Sequence, residues 1–324
     1  MQINYSKSRF LVTGGAGFVG SYIVEMLLER KAQKVVIIDN MIRGSQRNMM
    51  NFIYDPRVEF IENDIRNTEL MDRLISQADY VFHLAAVRIT RYAADPMEGF
   101  EVMVRATHDI FHACVNHKVK KVIYSSTASV YGLAQHFPTP ETDNPYDNKT
   151  LYGGAKLFGE SLLRSLHDSS GLDYVALRYF NIYGQRMDTE GKYTEVMVKW
   201  LDCIKDNRPP LIFGDGSTSM DFVHVKDVAA ANIAALEADV TDEVFNIGYQ
   251  RETSLKELLS LLLAANNSDL TPEHRPDNTI NPVSKRIADI SKAERLLKFK
   301  PTISLEDGLK ELSKWYFEIK GEVY

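Results

Sequence analysis

The sequence predicts a doubly wound α/β fold: a parallel sheet buried on both faces, with a smaller α/β lobe interleaved in its C-terminal half. Three observations carry that expectation. Short unbroken apolar runs, "RFLVTGG", "KVVIID", "VEFIEND", "YVFHLAA" and "KKVIYSS", alternate with longer amphipathic stretches such as "SYIVEMLLER" and "GFEVMVRATHDIFHACVNH". Strands that are apolar along their whole length are covered on both sides, as in a parallel sheet with crossover helices. Past "YVALRYFNIYG" at 174–184 the rhythm loosens into loops and isolated helices, and Pro and Gly cluster near 207–217. A chain of 324 residues has room for one large core or two unequal ones. The first lobe is expected over residues 1–184, with 221–249 returning to it, and the second over the rest of 185–324. That second lobe closes on "SLEDGLKELSKWYFEI", where Ser304 and Asp307 suit a helix start.

Composition excludes several classes. Lys and Arg total 38 against 44 Asp and Glu, a net charge of −6 without blocks of like sign. Nucleic acid and anionic membranes demand a basic face, so neither is an expected partner. Cys114 and Cys203 are the only cysteines and belong to no Cys/His cluster, so no disulfide scaffold and no metal site is expected. The opening "MQINYSKSRF" has no apolar core, and no run approaches the roughly 18 apolar residues of a membrane span. A cytoplasmic location is the expectation.

The first strand runs into "FLVTGGAGFVGSYIVEML", with Gly14, Gly17 and Gly20 between strand and helix. Glycines there permit a tight turn, close approach to a pyrophosphate and tight helix-to-strand packing, with the anion on the helix N-terminus. A structural glycine turn without a ligand is the alternative. The flanking strand and helix, and Asp39 ending "KVVIID", favour a Rossmann-type dinucleotide site. Asp39 would accept hydrogen bonds from ribose hydroxyls and repel a 2′-phosphate, which selects NAD over NADP; Arg43 works slightly the other way. Asp64, in "IENDIRN", either meets the adenine edge or caps the following helix.

"TLYGGAKLFGE" at 150–160 reads as a helix start, and Tyr152 and Lys156, four apart, share one face. A phenol ionises near 10 in water. An adjacent ammonium and a cationic nicotinamide would favour the phenolate and make Tyr152 a usable base; an exposed helix pair is the alternative. Gly153 and Gly154 each cost about 1 kcal/mol against alanine inside a helix, which fits a helix pressed close to a cofactor.

Together, TGxxGxxG at 13–20, Asp39, "HLAA" at 83–86, "YSSTASVYG" at 124–132, YxxxK at 152–156, "LRYFNIYG" at 177–184 and "DFVHVKDVA" at 221–229 resemble the extended short-chain dehydrogenase/reductases, and among them the nucleotide-sugar epimerases and dehydratases. The likeness covers essentially the whole chain. It implies a catalytic trio of Thr127, Tyr152 and Lys156, and an NAD site of Gly14, Gly17, Phe18, Val19, Asp39, Asn40, Asp64, Ile65, Leu84, Ala85, Ala86 and Ser125, with Tyr152 and Lys156. Thr127 would bond the reacting sugar oxygen, and Lys156 would hold the nicotinamide ribose and lower the Tyr152 pKa.

In related 4,6-dehydratases and uronate decarboxylases an acid follows that threonine by one or two places, and 3,5-epimerases carry a cysteine at the second. This chain has Ala128 and Ser129. The resemblance therefore implies a 4-epimerase acting on a UDP-hexose, in plain, N-acetylated or uronate form, by way of a transient 4-keto sugar. A dehydratase or dehydrogenase on the same substrates, and a silent NAD-sensing protein, are the alternatives.

The resemblance also assigns substrate contacts. Asn181 matches a residue near sugar or diphosphate, with a structural asparagine as its rival, and Arg275 matches one diphosphate arginine. Arg91 would sit near a sugar carboxylate or in a solvated loop. The other usual arginine position holds Met220, for which Arg186, Lys285 or Arg286 are the candidate replacements. Met103 and Ala106 stand where relatives carry Asn and Gly. The helix at 97–116 and the Tyr152 helix would form a homodimer contact or pack on the chain's own sheet. Polysaccharide biosynthesis is the implied destination.

Overall fold

A computed structural model of the chain describes residues 3–190, 194–276 and 283–321. Seven strands form one parallel sheet: β1 (Arg9–Thr13), β2 (Lys34–Asp39), β3 (Val58–Glu62), β4 (Tyr80–His83), β5 (Lys121–Thr127), β6 (Tyr174–Tyr179) and a last strand, Glu243–Ile247. The spatial order is β3, β2, β1, β4, β5, β6 and then Glu243–Ile247. Succession runs outward in both directions from the middle, so it reverses between β1 and β4. Doubly wound sheets bind ligands in the crevice that this reversal opens at the strands' carboxyl ends.

Side chains alternate across each strand. Phe10 and Val12 enter one core with the helices Phe18–Glu29 and Val225–Glu237, while Leu11 enters the opposite core with Thr68–Ile75, Ala106–Asn116 and Leu151–Ser170. Because both faces are covered, the strand tolerates no polar alternation, and it reads as an unbroken apolar run.

Beyond β6 the chain crosses between lobes. Helix Val225–Glu237 lies against Phe18–Glu29, and Glu243–Ile247 pairs with β6. A further crossing follows that the sequence pattern does not indicate. Ala288, Ile290, Ala293, Leu297 and Phe299 pack into the first-lobe core, because an amphipathic run does not say which lobe it covers. The second core is built by Trp200, Leu201, Leu258, Leu262, Leu309 and Tyr316, from the helices Val196–Lys205, Leu255–Ala265 and Leu305–Ile319. Ser304 caps the last helix by accepting from the Asp307 N–H at 3.1 Å.

Asp221 fastens the crossings together. Its fully buried carboxylate accepts from the backbone N–H groups of Tyr249 (2.6 Å), Gln250 (2.8 Å) and Ala288 (3.1 Å).

The segment around Met103 is helical throughout but changes gauge: Pro96–Phe100, a π-turn Glu101–Arg105, then Ala106–Asn116. Met103 is buried against the sheet, and the wider turn begins just before it.

Candidate active site

The β1 turn meets the loop after β4 at backbone contact. Gly14 has φ +72°, and a Cβ placed there would lie 3.0 Å from the Ala85 nitrogen. The Gly14 N–H donates to Ile38 and its carbonyl accepts from Gly17; a Cβ at Gly17 would sit 3.0 Å from that carbonyl, and one at Gly20 would overlap it. Helix Phe18–Glu29 starts directly behind, with Phe18 and Val19 in its first turn. Leu84 and Ala85 donate their N–H groups to Thr13 Oγ1 at 3.1 Å, and Ala86 beyond them is exposed. Side-chain-free backbone at a helix N-terminus is the cradle a pyrophosphate needs, so these residues fit a dinucleotide.

At the end of β2 the Asp39 carboxylate accepts from Ala16 N–H (3.1 Å) and Met41 N–H (3.0 Å), and burial raises its pKa. Asn40 donates to Asp64 at 3.0 Å. Asp64 is no helix cap: Asn67 caps the helix Thr68–Ile75 by accepting from Leu70. Burial works to raise the Asp64 pKa, but Arg66, held in a two-point pair, and Asn40 bring it down to about 2. The Ile65 side chain belongs to the core, leaving only its backbone for a ligand.

Across the crevice, β5 ends at Thr127 and helix Leu151–Ser170 begins, capped by Thr150. The Lys156 ammonium is buried, donates to the Ser125 carbonyl at 2.6 Å and lies 4.9 Å from the Tyr124 ring centre. Burial pulls its pKa down to about 7, against the pull of Glu160. Tyr152 is raised by burial, while the Thr127 hydroxyl and the Arg43 guanidinium favour its phenolate. That role was expected of Lys156, whose ammonium is turned to Ser125 instead. The structure thus brings Thr127, Ser125, Tyr152 and Lys156 together at one strand end.

The two glycines of the helix start have a local cause. A Cβ on Gly153 would lie 2.6 Å from Asn148 Oδ1, and Gly154 meets nothing nearer than 3.8 Å. Asn148 Oδ1 also accepts from the Thr150 N–H and hydroxyl, so Gly153 makes room for the cap.

Three assigned substrate contacts are engaged elsewhere. Arg91 pairs with Glu98 through two 2.6 Å hydrogen bonds. Arg275 is exposed and pairs with Glu273 at 3.0 Å. Asn181 donates its amide to the Asp221 carbonyl at 3.1 Å, the structural role. Of the replacements for Met220, Arg186 binds Glu25 and stacks on Tyr22, and Lys285 binds Glu252. Arg286 remains: the strand Lys285–Arg286 places it beside Met220, on the face opposite the Ser219–Glu252–Lys285 group. Desolvation pulls it to about 10, and among the described residues its side chain makes no hydrogen bond or ion pair.

Sequence reasoning missed the support behind the site. Glu160 is buried, takes a two-point pair from Arg178 (2.9 and 2.6 Å) and a short hydrogen bond from Ser126. Its spacing from Tyr152 and Lys156, i+8 and i+4, was the available signal. His83 of "HLAA" is held between Thr13 (2.9 Å) and Thr107 (3.1 Å), and burial drops its pKa to about 3, keeping it neutral. Among the described residues no group of His, Cys, Asp or Glu is arranged to hold a metal, and no helix is long and apolar enough to cross a membrane.

Comparison with known proteins agrees with this geometry. The family described as "NAD dependent epimerase/dehydratase family" matches residues 10–248. The solved UDP-glucose 4-epimerase of Thermotoga maritima, with UDP-glucose, superposes with a TM-score of 0.89 at 35% identity, over 96% of this chain and 99% of that one. The UDP-glucuronic acid 4-epimerase of Bacillus cereus, in complex with UDP-glucuronic acid and NAD, gives 0.85 at 31% identity over 96% and 99%. A UDP-N-acetyl-alpha-D-glucosaminuronate decarboxylase of Bacillus cytotoxicus is 31% identical over 98% of this chain and all of its own.

Proposed function

The chain belongs to the NAD dependent epimerase/dehydratase family, its cofactor is NAD, and from that premise we propose that it is a nucleotide-sugar 4-epimerase acting on a UDP-sugar. The observation that carries this choice is the turn after Thr127. Ala128 is buried and Ser129 gives its N–H to Thr127 Oγ1 at 3.1 Å, so the two places that hold an acid in dehydratases and decarboxylases hold a methyl group and a capped turn. Without an acid there, the site has a group for the C4 hydroxyl proton and none for a proton at C5 or C6.

NAD, bound on the glycine turn with Asp39 at its ribose, supplies the hydride acceptor and donor. The chain's own part is proton transfer and placement. Tyr152 takes the proton of the C4 hydroxyl and later returns it, while Thr127 fixes the oxygen from which it came. Lys156, spanning from the Tyr152 helix to the Ser125 carbonyl, holds the nicotinamide ribose at that strand end. The 4-keto sugar turns over about its diphosphate, so the diphosphate clamp must hold while the ring moves. Arg286 is the guanidinium best suited to that clamp, since it lies beside Met220 and pairs with no anion among the described residues.

A homodimer also fits. Met97 and Phe100, and Leu151 at the start of the Tyr152 helix, are exposed large apolar side chains on neighbouring helices, and such patches mark association surfaces. The reaction is tested by product analysis of the purified protein with UDP-sugars and no added cofactor. A C4 epimer of unchanged mass is expected; a product lighter by water or carbon dioxide would replace the epimerase with a dehydratase or decarboxylase.

A further inference from the structure

The helix that carries Tyr152 has a further glycine, Gly159, between Lys156 and Glu160. A Cβ there would overlap the Tyr124 hydroxyl, so its absence lets β5 lie directly beneath that turn of the helix. Two ionisable groups of the turn then reach neighbouring residues of β5. The Lys156 ammonium donates to the Ser125 carbonyl at 2.6 Å, and the Glu160 carboxylate accepts from the Ser126 hydroxyl. At i and i+4 the two side chains share one helix face, and both are buried.

Glu160 is also held from behind. Arg178 of β6 donates to both of its oxygens, at 2.9 and 2.6 Å. That guanidinium is fixed in turn by the Tyr131 hydroxyl at 2.8 Å and the Glu141 carbonyl at 3.1 Å, and Tyr131 donates to Asn246 at 2.6 Å. The carboxylate therefore has one place to be. Around Lys156 stand the Tyr124 ring and the Ser125 carbonyl from β5, neutral His83 from β4, and Tyr152 and Glu160 from its own helix. The helices packed on this side bring Met103 and Phe111, both apolar, and β6 brings Arg178, already paired with Glu160. Of these named groups only Glu160 is an anion. A buried ammonium loses its proton easily without one; burial brings Lys156 down to about 7, and Glu160 is the charge that resists.

We propose that Glu160 is a positioning residue for the proton transfer: fixed by Arg178 and Ser126, it is the counter-charge that keeps Lys156 an ammonium on the Ser125 carbonyl. What that ammonium serves rests on the nucleotide-sugar reading above. A neutral amine would donate more weakly to Ser125 and would leave Tyr152 without the cation of its own helix.

The test reads Lys156 itself. In the NAD-loaded full chain carrying lysine isotopically labelled at Cε, the resonance missing from Lys156→Met is titrated by NMR. Glu160→Gln should move its midpoint to lower pH by on the order of one pH unit or more, the effect of a unit charge one helical turn away inside a protein. The alkaline limb of the turnover profile with a UDP-sugar should move the same way, because it reports loss of the ammonium. Glu160→Gln leaves the Arg178 cation alone; if that variant does not fold, Glu160→Gln/Arg178→Gln leaves no orphaned buried ion and should move the midpoint in the same direction by less. A purely structural Glu160 would lower the melting temperature and leave the midpoint of the folded variant in place, which overturns the proposal. So does a wild-type Lys156 that is neutral at the pH of catalysis. Turnover of a UDP-sugar with an unmoved midpoint would sink the counter-charge and leave the epimerase standing. A moved midpoint in a protein that inverts no sugar would keep the counter-charge and remove the epimerase.

Discussion

The Lys156 ammonium donates to the Ser125 carbonyl across 2.6 Å, tying the helix that carries Tyr152 to the strand that ends in Thr127. One hydrogen bond therefore sets the spacing of all three groups that would handle the C4 oxygen. Lys156→Met should cut kcat by roughly 100-fold or more, the scale of a mispositioned acid–base group. It also has a stability signature. Folded Lys156 titrates near 7 and an unfolded lysine near 10.4. Between those values the unfolded chain binds more protons, so stability rises with pH there. Denaturant titrations of the cofactor-free protein from pH 7 to 10 should show the wild type gaining on Lys156→Met by on the order of 1 kcal/mol per pH unit; parallel curves would mean that the ammonium is not buried.

Tyr152→Phe removes the proton acceptor and keeps the ring. Turnover should fall roughly 100- to 10,000-fold, with NAD still bound, as read from cofactor released on denaturation. Retained turnover would move the base to another residue.

Arg286 and Arg275 separate two views of the diphosphate site. Arg286→Ala should raise the Kd for UDP by roughly 10- to 100-fold. Arg275→Ala, which breaks only an exposed pair with Glu273, should change it less than about 3-fold. The reverse ranking in a calorimetric titration would restore the clamp to Arg275.

Gly153 and Gly154 should respond in opposite directions to alanine. A Cβ at Gly153 meets Asn148 Oδ1 at 2.6 Å, while Gly154 is open. Gly154→Ala should stabilise by up to about 1 kcal/mol, the helix preference for alanine. Gly153→Ala should destabilise by about 1 kcal/mol or more, as it displaces the Asn148–Thr150 cap. Equal shifts in melting temperature would refute the packing cause.

What the sequence made legible follows local rules. Gly14, Gly17 and Gly20, Asp39, and the Tyr152–Lys156 spacing announce themselves because backbone clearance and helix period are written at fixed intervals. Arg91 and Arg275 are engaged away from the expected substrate contacts for one shared reason. Each has a partner within seven residues, Glu98 and Glu273, and a folded loop turns charges onto near neighbours as readily as onto a ligand. Choosing Arg286 from among the candidate replacements was harder, since its neighbour Met220 comes from a segment far away in the chain. The packing of Ala288–Phe299 on the first lobe was illegible because any apolar face would have accepted that amphipathic run.

The most direct measurement is proton NMR of the purified protein with UDP-sugars in deuterated water and no added cofactor. Hydride return at C4 with Tyr152 shuttling only the hydroxyl proton predicts a C4 epimer with no deuterium on any sugar carbon. Deuterium at C3, C5 or C6 would show deprotonation at carbon and contradict the 4-epimerase.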